Sequence, residues 1–224
     1  MLILKLLISY AGYSCFSHVV IGRLSQREVY VNKRFILASS SPQRIELFKL
    51  LGFLFDFVPH GIDENVCNRN LPPSEFVQAL ASLKAGNVAK EMKDAIVIGA
   101  DTIILHDNNV YGKPKDTNDA KRMLSFLNNS VHEVLSGVCI KEMPSGRQLV
   151  GVARTKVKMK NTPVDELERY VRSGEPMGKA GAYAIQGRGQ KFIDEIDGSY
   201  SNVVGLPLEL LQKMLTEFVK NEYS

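Results

Sequence analysis

Apolar residues run along this chain in two ways, as unbroken stretches and at helical spacing, and the alternation of the two predicts an α/β fold. Phe35-Ile36-Leu37-Ala38 and Ala95 to Leu105 are continuous, as expected of strands buried on both faces, and Phe53 to Val58 alternates aromatic with other residues. Helical spacing begins after Ser39-Ser40-Ser41-Pro42, with Pro42 at the first helical position and Ser41 as its N-cap. That helix, Gln43 to Leu51, carries Ile45, Leu47, Phe48, Leu50 and Leu51 and ends at Gly52. A second runs from Ser74 to near Met92 with Phe76, Val77, Leu80 and Leu83 on one side, and a third covers Asp116 to Leu127. Strands at Glu133 to Lys141 and Gln148 to Met159 flank the turn Pro144-Ser145-Gly146. A helix opened by Asn161-Thr162-Pro163 and stopped by Gly174, and a last one from Leu208 to Phe218, complete the pattern. No internal repeat or inter-domain linker interrupts it.

The chemistry lies where this pattern breaks. Asp101 and Thr102 interrupt the apolar run Ala95 to Leu105. A buried carboxylate costs several kcal/mol, on the scale of ion desolvation, unless a cation or hydrogen-bond donor meets it. Asp101 therefore either turns the chain after Gly99 or serves a site. Gly112-Lys113-Pro114 favours the site, since Pro114 fixes a turn that holds Lys113 near a strand end. The serine-rich turn Ser39 to Ser41 presents free backbone N–H groups and the positive end of a helix dipole to an anion. Arg44 in that first turn opposes the dipole, which is understandable if it too faces an anion and otherwise reads as a solvated arginine. Lys84 lies beside an apolar helical stripe, where a lysine ordinarily snorkels to water. Asp63 and Glu64 fall in a polar loop and read by default as exposed. Between Gly174 and Gly205 glycine is dense, as in an ordered ligand loop or a flexible surface loop; Tyr183, Ile185 and Phe192 argue for order. Gln186, between Ile185 and Gly187, offers an amide that could read the edge of a base.

Composition narrows the partners. A net charge of +4 over 224 residues suits an anionic small molecule without reaching the density of a dedicated nucleic-acid binder. Lys156, Lys158 and Lys160 share one face of a strand and could touch polynucleotide, although a solvated sheet face is the simpler account. The three cysteines, Cys15, Cys67 and Cys139, show no close pairing and imply a reducing compartment, and the four histidines have no zinc spacing. Residues 1–33 differ in character and read as a poor signal peptide, a transit-like presequence or translation from an upstream start; no chemistry is drawn from them. No apolar stretch reaches the roughly 18 residues that span a membrane.

Ser39, Arg44, Glu64, Lys84, Asp101, Lys113 and Gln186 together suit a polyphosphate accompanied by a divalent metal. The segments LASSSPQR (Leu37 to Arg44), GADT (Gly99 to Thr102), GKP (Gly112 to Pro114), KAGAYAIQGRG (Lys179 to Gly189) and GSYSNVVGLPL (Gly198 to Leu208) resemble the Maf family of nucleoside triphosphate pyrophosphatases, in unbroken order from Arg34 to the C-terminus. The resemblance implies one domain over residues 34–224, following the extension at 1–33. Its fold would be a mixed, strongly twisted sheet with flanking helices, two lobes around a nucleotide-binding cleft, similar to inosine triphosphatases. It also implies hydrolysis of a nucleoside triphosphate to monophosphate and pyrophosphate with Mg2+ or Mn2+, in the cytoplasm, by a homodimer that engages neither nucleic acid nor membrane. Asp101 would be the general base and a metal ligand, with Glu64 holding metal or water. Ser39, Arg44, Lys84 and Lys113 would bind phosphates, and Gln43, Thr102 and Gln186 would read the base. The IQG form of the glycine loop is similar to the branch that prefers dTTP and UTP. Where the family has S-P-R-R this chain has Ser41-Pro42-Gln43-Arg44, which keeps hydrogen bonding at position 43 but loses the fixed charge and planar fork. Because Maf relatives are associated with arrest of cell division, a nucleotide-sensing regulator acting through protein partners is the alternative.

Overall fold

The computed structural model describes residues 33–63, 67–68 and 70–220, so the extension at 1–33 lies outside the described residues except for Lys33. In chain order the elements are β1 (Phe35–Leu37), α1 (Pro42–Lys49), β2 (Phe55–Phe57), α2 (Pro73–Ala89), β3 (Ala95–His106), β4 (Asn109–Tyr111), α3 (Thr117–Leu127), β5 (Val131–Met143), β6 (Gln148–Met159), α4 (Val164–Arg172), β7 (Ile193–Asp197), α5 (Tyr200–Val204) and α6 (Leu208–Lys220). The strands form one seven-stranded mixed sheet in the order β2-β1-β3-β5-β6-β7, with β4 paired to β3. β1 is parallel to β2 and β3, and the remaining pairs are antiparallel.

Side chains alternate across β3, and the alternation explains the whole arrangement. Ala95, Val97 and Ile103 point to one face, where α2 covers them with Val77, Ala81 and Ala85. Ile96, Ile98 and Ala100 point to the other and join Leu47 and Phe48 of α1 and Leu211 and Leu215 of α6. Ile104, also on that second face, belongs to a different core with Leu124 and Leu127 of α3 and Tyr170 and Val171 of α4. Burying each such side chain contributes about 1.5–3 kcal/mol, so each core holds its own helices to the sheet. Between the two cores the same face carries Thr102, paired in register with Ser136 of β5. A polar strip thus separates two lobes.

α2 lies unusually close to the sheet. A Cβ at Gly99 would fall 2.2 Å from the Ala81 carbonyl oxygen, and one at Gly137 would fall 2.2 Å from that of Val77. Only glycine permits that approach.

Several elements differ from the sequence reading. β4 is formed by a two-residue hairpin at Asp107 and Asn108, whose φ values of 47° and 61° are those of the turn that best matches strand twist. β7 emerges from the glycine-dense stretch, which is ordered by short turns at Ala180–Ala182 and Arg188–Phe192. Ser41 is the N-cap of α1 by position, but its hydroxyl donates to Gln43 Oε1 at 3.2 Å and makes no cap bond. The strip on β6 is exposed at Lys156 and Lys158, yet β7 sets Asp197 and Glu195 opposite them and Asp194 lies 2.8 Å from Lys158. Those carboxylates offset the charge that a polynucleotide would need. Cys67 and Cys139 are buried free thiols, and burial pushes Cys139 up to about 11. Among the described residues no helix is long and apolar enough to cross a membrane.

Candidate active site

A cavity of about 590 Å3 opens over the polar strip between the two cores. Ser39, Gln43, Arg44, Lys84, Asp101, Thr102, Lys113 and Gln186 all line it, although they come from α1, α2, β3 and three loops. Glu64, the remaining residue named from sequence, lies outside the described residues.

At the floor Lys84 Nζ donates to Asp101 Oδ1 at 2.5 Å, with the two side chains 2% and 9% exposed. Lys84 therefore does not snorkel as its position beside the apolar stripe led us to expect. The close approach of α2 over Gly99 and Gly137 turns its ammonium inward, where the carboxylate of β3 compensates it. This pair answers the question raised by a carboxylate in an apolar strand.

Arg44 crosses from α1 to the opposite wall. Its Nε donates to the Gly205 carbonyl at 2.8 Å and its Nη2 to Thr102 Oγ1 at 3.1 Å, while Thr102 Oγ1 lies 2.8 Å from Ser136 Oγ. The guanidinium is thus held in place by the fold. Ser39 is buried and its hydroxyl accepts from the Ser41 backbone N–H at 3.1 Å, which fixes the serine turn.

The glycine-dense loop forms the remaining wall. Glu175 Oε1 accepts from Tyr170 Oη and from the Gly189 backbone N–H, both at 3.1 Å, so the segment closes on itself. A Cβ at Gly187 would fall 2.4 Å from that carboxylate. Gln186 is held alongside with its Nε2 buried and without a protein partner, a donor available to something in the cavity. Behind this wall Tyr183 Oη lies 2.8 Å from His132 Nε2, and burial pushes the His132 ring down to about 3, so it stays neutral.

Lys179, Glu175 and Tyr183 also line the cavity, although the sequence had marked only Tyr183, and that as a sign of order in the loop. Lys179 begins the motif KAGAYAIQGRG, which was the available signal. Nothing in the spacing shows that its turn folds back on Lys113.

Among the described residues no three His, Cys, Asp or Glu side chains gather as a metal cage. The carboxylate of Asp101 at a cation-rich cavity fits the other way magnesium is bound, by one or two carboxylates together with substrate phosphates.

The sequence model of the family described as Maf-like protein matches residues 34–218. This chain belongs to the Maf family. A Maf relative from Pelotomaculum thermopropionicum named dTTP/UTP pyrophosphatase is 46% identical over 189 residues, 84% of this chain and 98% of the relative. Another of that name from Dictyoglomus thermophilum is 44% identical over 185 residues, 83% of this chain and 96% of its own length. Among solved structures the Staphylococcus aureus Ham1 protein superposes with a TM-score of 0.50 at 15% identity, covering 83% of this chain and 99% of that one. That likeness shows a common fold for the Maf chain, a mixed α/β sheet with flanking helices.

Proposed function

We propose that this Maf protein is a nucleoside triphosphate pyrophosphatase that cleaves between the α- and β-phosphates and releases nucleoside monophosphate and pyrophosphate, with dTTP and UTP the favoured substrates. The carrying observation is the buried Lys84–Asp101 pair opening onto a cavity that also holds Arg44, Lys113 and Gln186. The names of the relatives support the reading, and no observation favours the regulator of cell division.

Asp101 is the general base. Lys84 fixes one carboxylate oxygen, leaving the other to take the proton of a water as the water oxygen bonds to the α-phosphorus and the electron pair of the broken bond departs with pyrophosphate. Arg44, Lys113 and the turn at Ser39 hold the phosphate oxygens, and Lys84 adds positive charge beneath them. Gln43, Thr102 and Gln186 orient the base, with the unpartnered Gln186 amide as donor to a base carbonyl. Asp101, with Glu64, would hold the Mg2+ or Mn2+, whose chemistry when bound is to neutralise charge developing on the phosphates. The enzyme acts on free nucleotide in the cytoplasm; the family resemblance is what supports a homodimer.

The test is product analysis with magnesium against dTTP, UTP, CTP, GTP, ATP and methylated nucleotides, for the wild type and Asp101→Asn. Pyrophosphate is expected from a subset of bases and is lost in the variant, whose amide oxygen still accepts from Lys84 and whose fold is checked by thermal unfolding. Intact nucleotides throughout, or orthophosphate as product, would remove this reading.

A further inference from the structure

Lys113 and Lys179 stand apart from the other cations of the cavity. Lys84 is committed to Asp101, and Arg44 to Gly205 and Thr102. Among the described residues neither the Lys113 nor the Lys179 ammonium has a hydrogen bond or a carboxylate within 4 Å, yet both line the cavity. Their proximity is built in. The Gly181 backbone N–H donates to the Gly112 carbonyl at 3.0 Å, and the Ala182 N–H to the Lys179 carbonyl at 3.0 Å, so the turn bearing Lys179 is stitched to the turn bearing Lys113. A Cβ at Gly181 would fall 2.7 Å from Ile104 Cγ1, which shows how closely that turn is seated on β3.

Two neighbouring cations, Lys113 exposed and Lys179 partly buried, repel one another unless an anion arrives. Burial pushes the Lys179 ammonium below the ordinary lysine range; Glu175 opposes that shift and Lys113 adds to it. Glu175 makes no ion pair with Lys179, and its Oε1 serves Tyr170 and Gly189. The side of the cavity also matters. Lys113 and Asp101 border a second cavity of about 200 Å3 that Thr102 shares but neither Gln43 nor Gln186 lines, so Lys113 lies on the Asp101 side of the site.

We propose that Lys113 and Lys179 act together as a two-cation clamp on the part of the triphosphate that leaves as pyrophosphate, making Lys179 a phosphate-binding residue of this site. The inference rests on the pyrophosphatase reading for its substrate, but the clamp can be tested without turnover. Inorganic pyrophosphate and dTMP are titrated separately, with magnesium, into the full-length wild type, Lys179→Gln and Lys179→Arg, with thermal unfolding of each as a folding control. Loss of one charge-assisted contact should weaken pyrophosphate by roughly tenfold or more in Lys179→Gln, while dTMP changes by less than about twofold. Lys179→Arg keeps the charge and should recover most of the affinity even if the glutamine variant folds poorly. Raising the pH should weaken pyrophosphate in the wild type before it does so in Lys179→Arg, whose guanidinium stays charged. Unchanged pyrophosphate affinity in Lys179→Gln, an equal loss for dTMP, or no pyrophosphate binding by the wild type would overturn the clamp. If no triphosphate is hydrolysed but pyrophosphate binding still depends on Lys179, the catalytic reading fails and the clamp stands.

Discussion

At the scale of single residues, the features legible in sequence were those that violate a local pattern. Asp101 stands out because a carboxylate in an apolar strand needs a reason, and the structure supplies it 17 positions earlier in Lys84. Lys84 itself was not legible, since the direction of a lysine on an apolar stripe depends on how near the partner sheet lies. Replacing it by methionine would leave Asp101 buried and uncompensated, so Lys84→Met should lose about 3–5 kcal/mol of stability, read from urea unfolding. Turnover should fall with it, whereas Asp101→Asn should lose turnover with a smaller change in stability. Position 43 carries a separate prediction. Gln43 lines the cavity and accepts from Ser41, so Gln43→Arg would add a guanidinium facing the nucleotide. One added charge-assisted contact should lower KM for dTTP by roughly tenfold and alter the ratio of kcat/KM between bases. Steady-state kinetics over a panel of triphosphates reads both; an unchanged ratio would mean that position 43 does not read the base.

Among the elements, long runs with one period were readable and short pieces were not. Ala95 to Leu105 is nearly the whole of β3, and α3 and α6 fall close to their expected limits. β4 and β7 escaped because three and five residues carry too little periodicity, and β4 depends on positive φ at Asp107 and Asn108. Ser41 looked like a side-chain cap, and only the geometry shows its hydroxyl engaged by Gln43. The placement of α2 depends on Gly99 and Gly137, whose importance appears only when the helix is seen lying across them. Gly137→Ala would drive a methyl into the Val77 carbonyl, and backbone cannot yield as a side chain can. We expect a loss of about 1–3 kcal/mol or more, measured by denaturant unfolding. We also expect turnover to drop beyond that loss, since a displaced α2 carries Lys84 away from Asp101. Wild-type activity and stability in this variant would show that the close contact is incidental.

For the whole molecule, two apolar cores on one sheet face keep the cleft open between them, and the interior groups that must stay uncharged set how the protein responds to acid. His132 lies in one core, 1% exposed, with Nε2 on Tyr183 Oη and His106 adding unfavourable charge. Its folded value of about 3 lies below the ordinary 6.5, so between those values the unfolded chain binds a proton that the folded chain refuses. The stability due to neutral His132 is therefore complete above about 6.5 and is lost progressively as pH falls toward 3, by an amount on the order of several kcal/mol. Glu142 acts in the same direction at lower pH. Burial pushes its carboxyl up, but hydrogen bonds from Ser145 and Lys33 together with the charges of Lys33 and Arg147 hold it below its usual value of 4.5, so its contribution fades as it protonates. Urea midpoints compared at about pH 7.5 and about pH 5 separate the two, because a substantial part of the His132 loss, though under half, has occurred there and little of the Glu142 loss has. The wild-type midpoint should fall between these conditions. His132→Phe, which strands the Tyr183 hydroxyl, should start lower at the higher pH and then fall distinctly less, since no imidazole remains to take up the proton. Parallel losses in the two proteins would show that His132 does not set the acid response. Tyr183 joins this buried histidine to the cavity wall, so pyrophosphate release in the wild type should disappear over the same range of pH as the folded state.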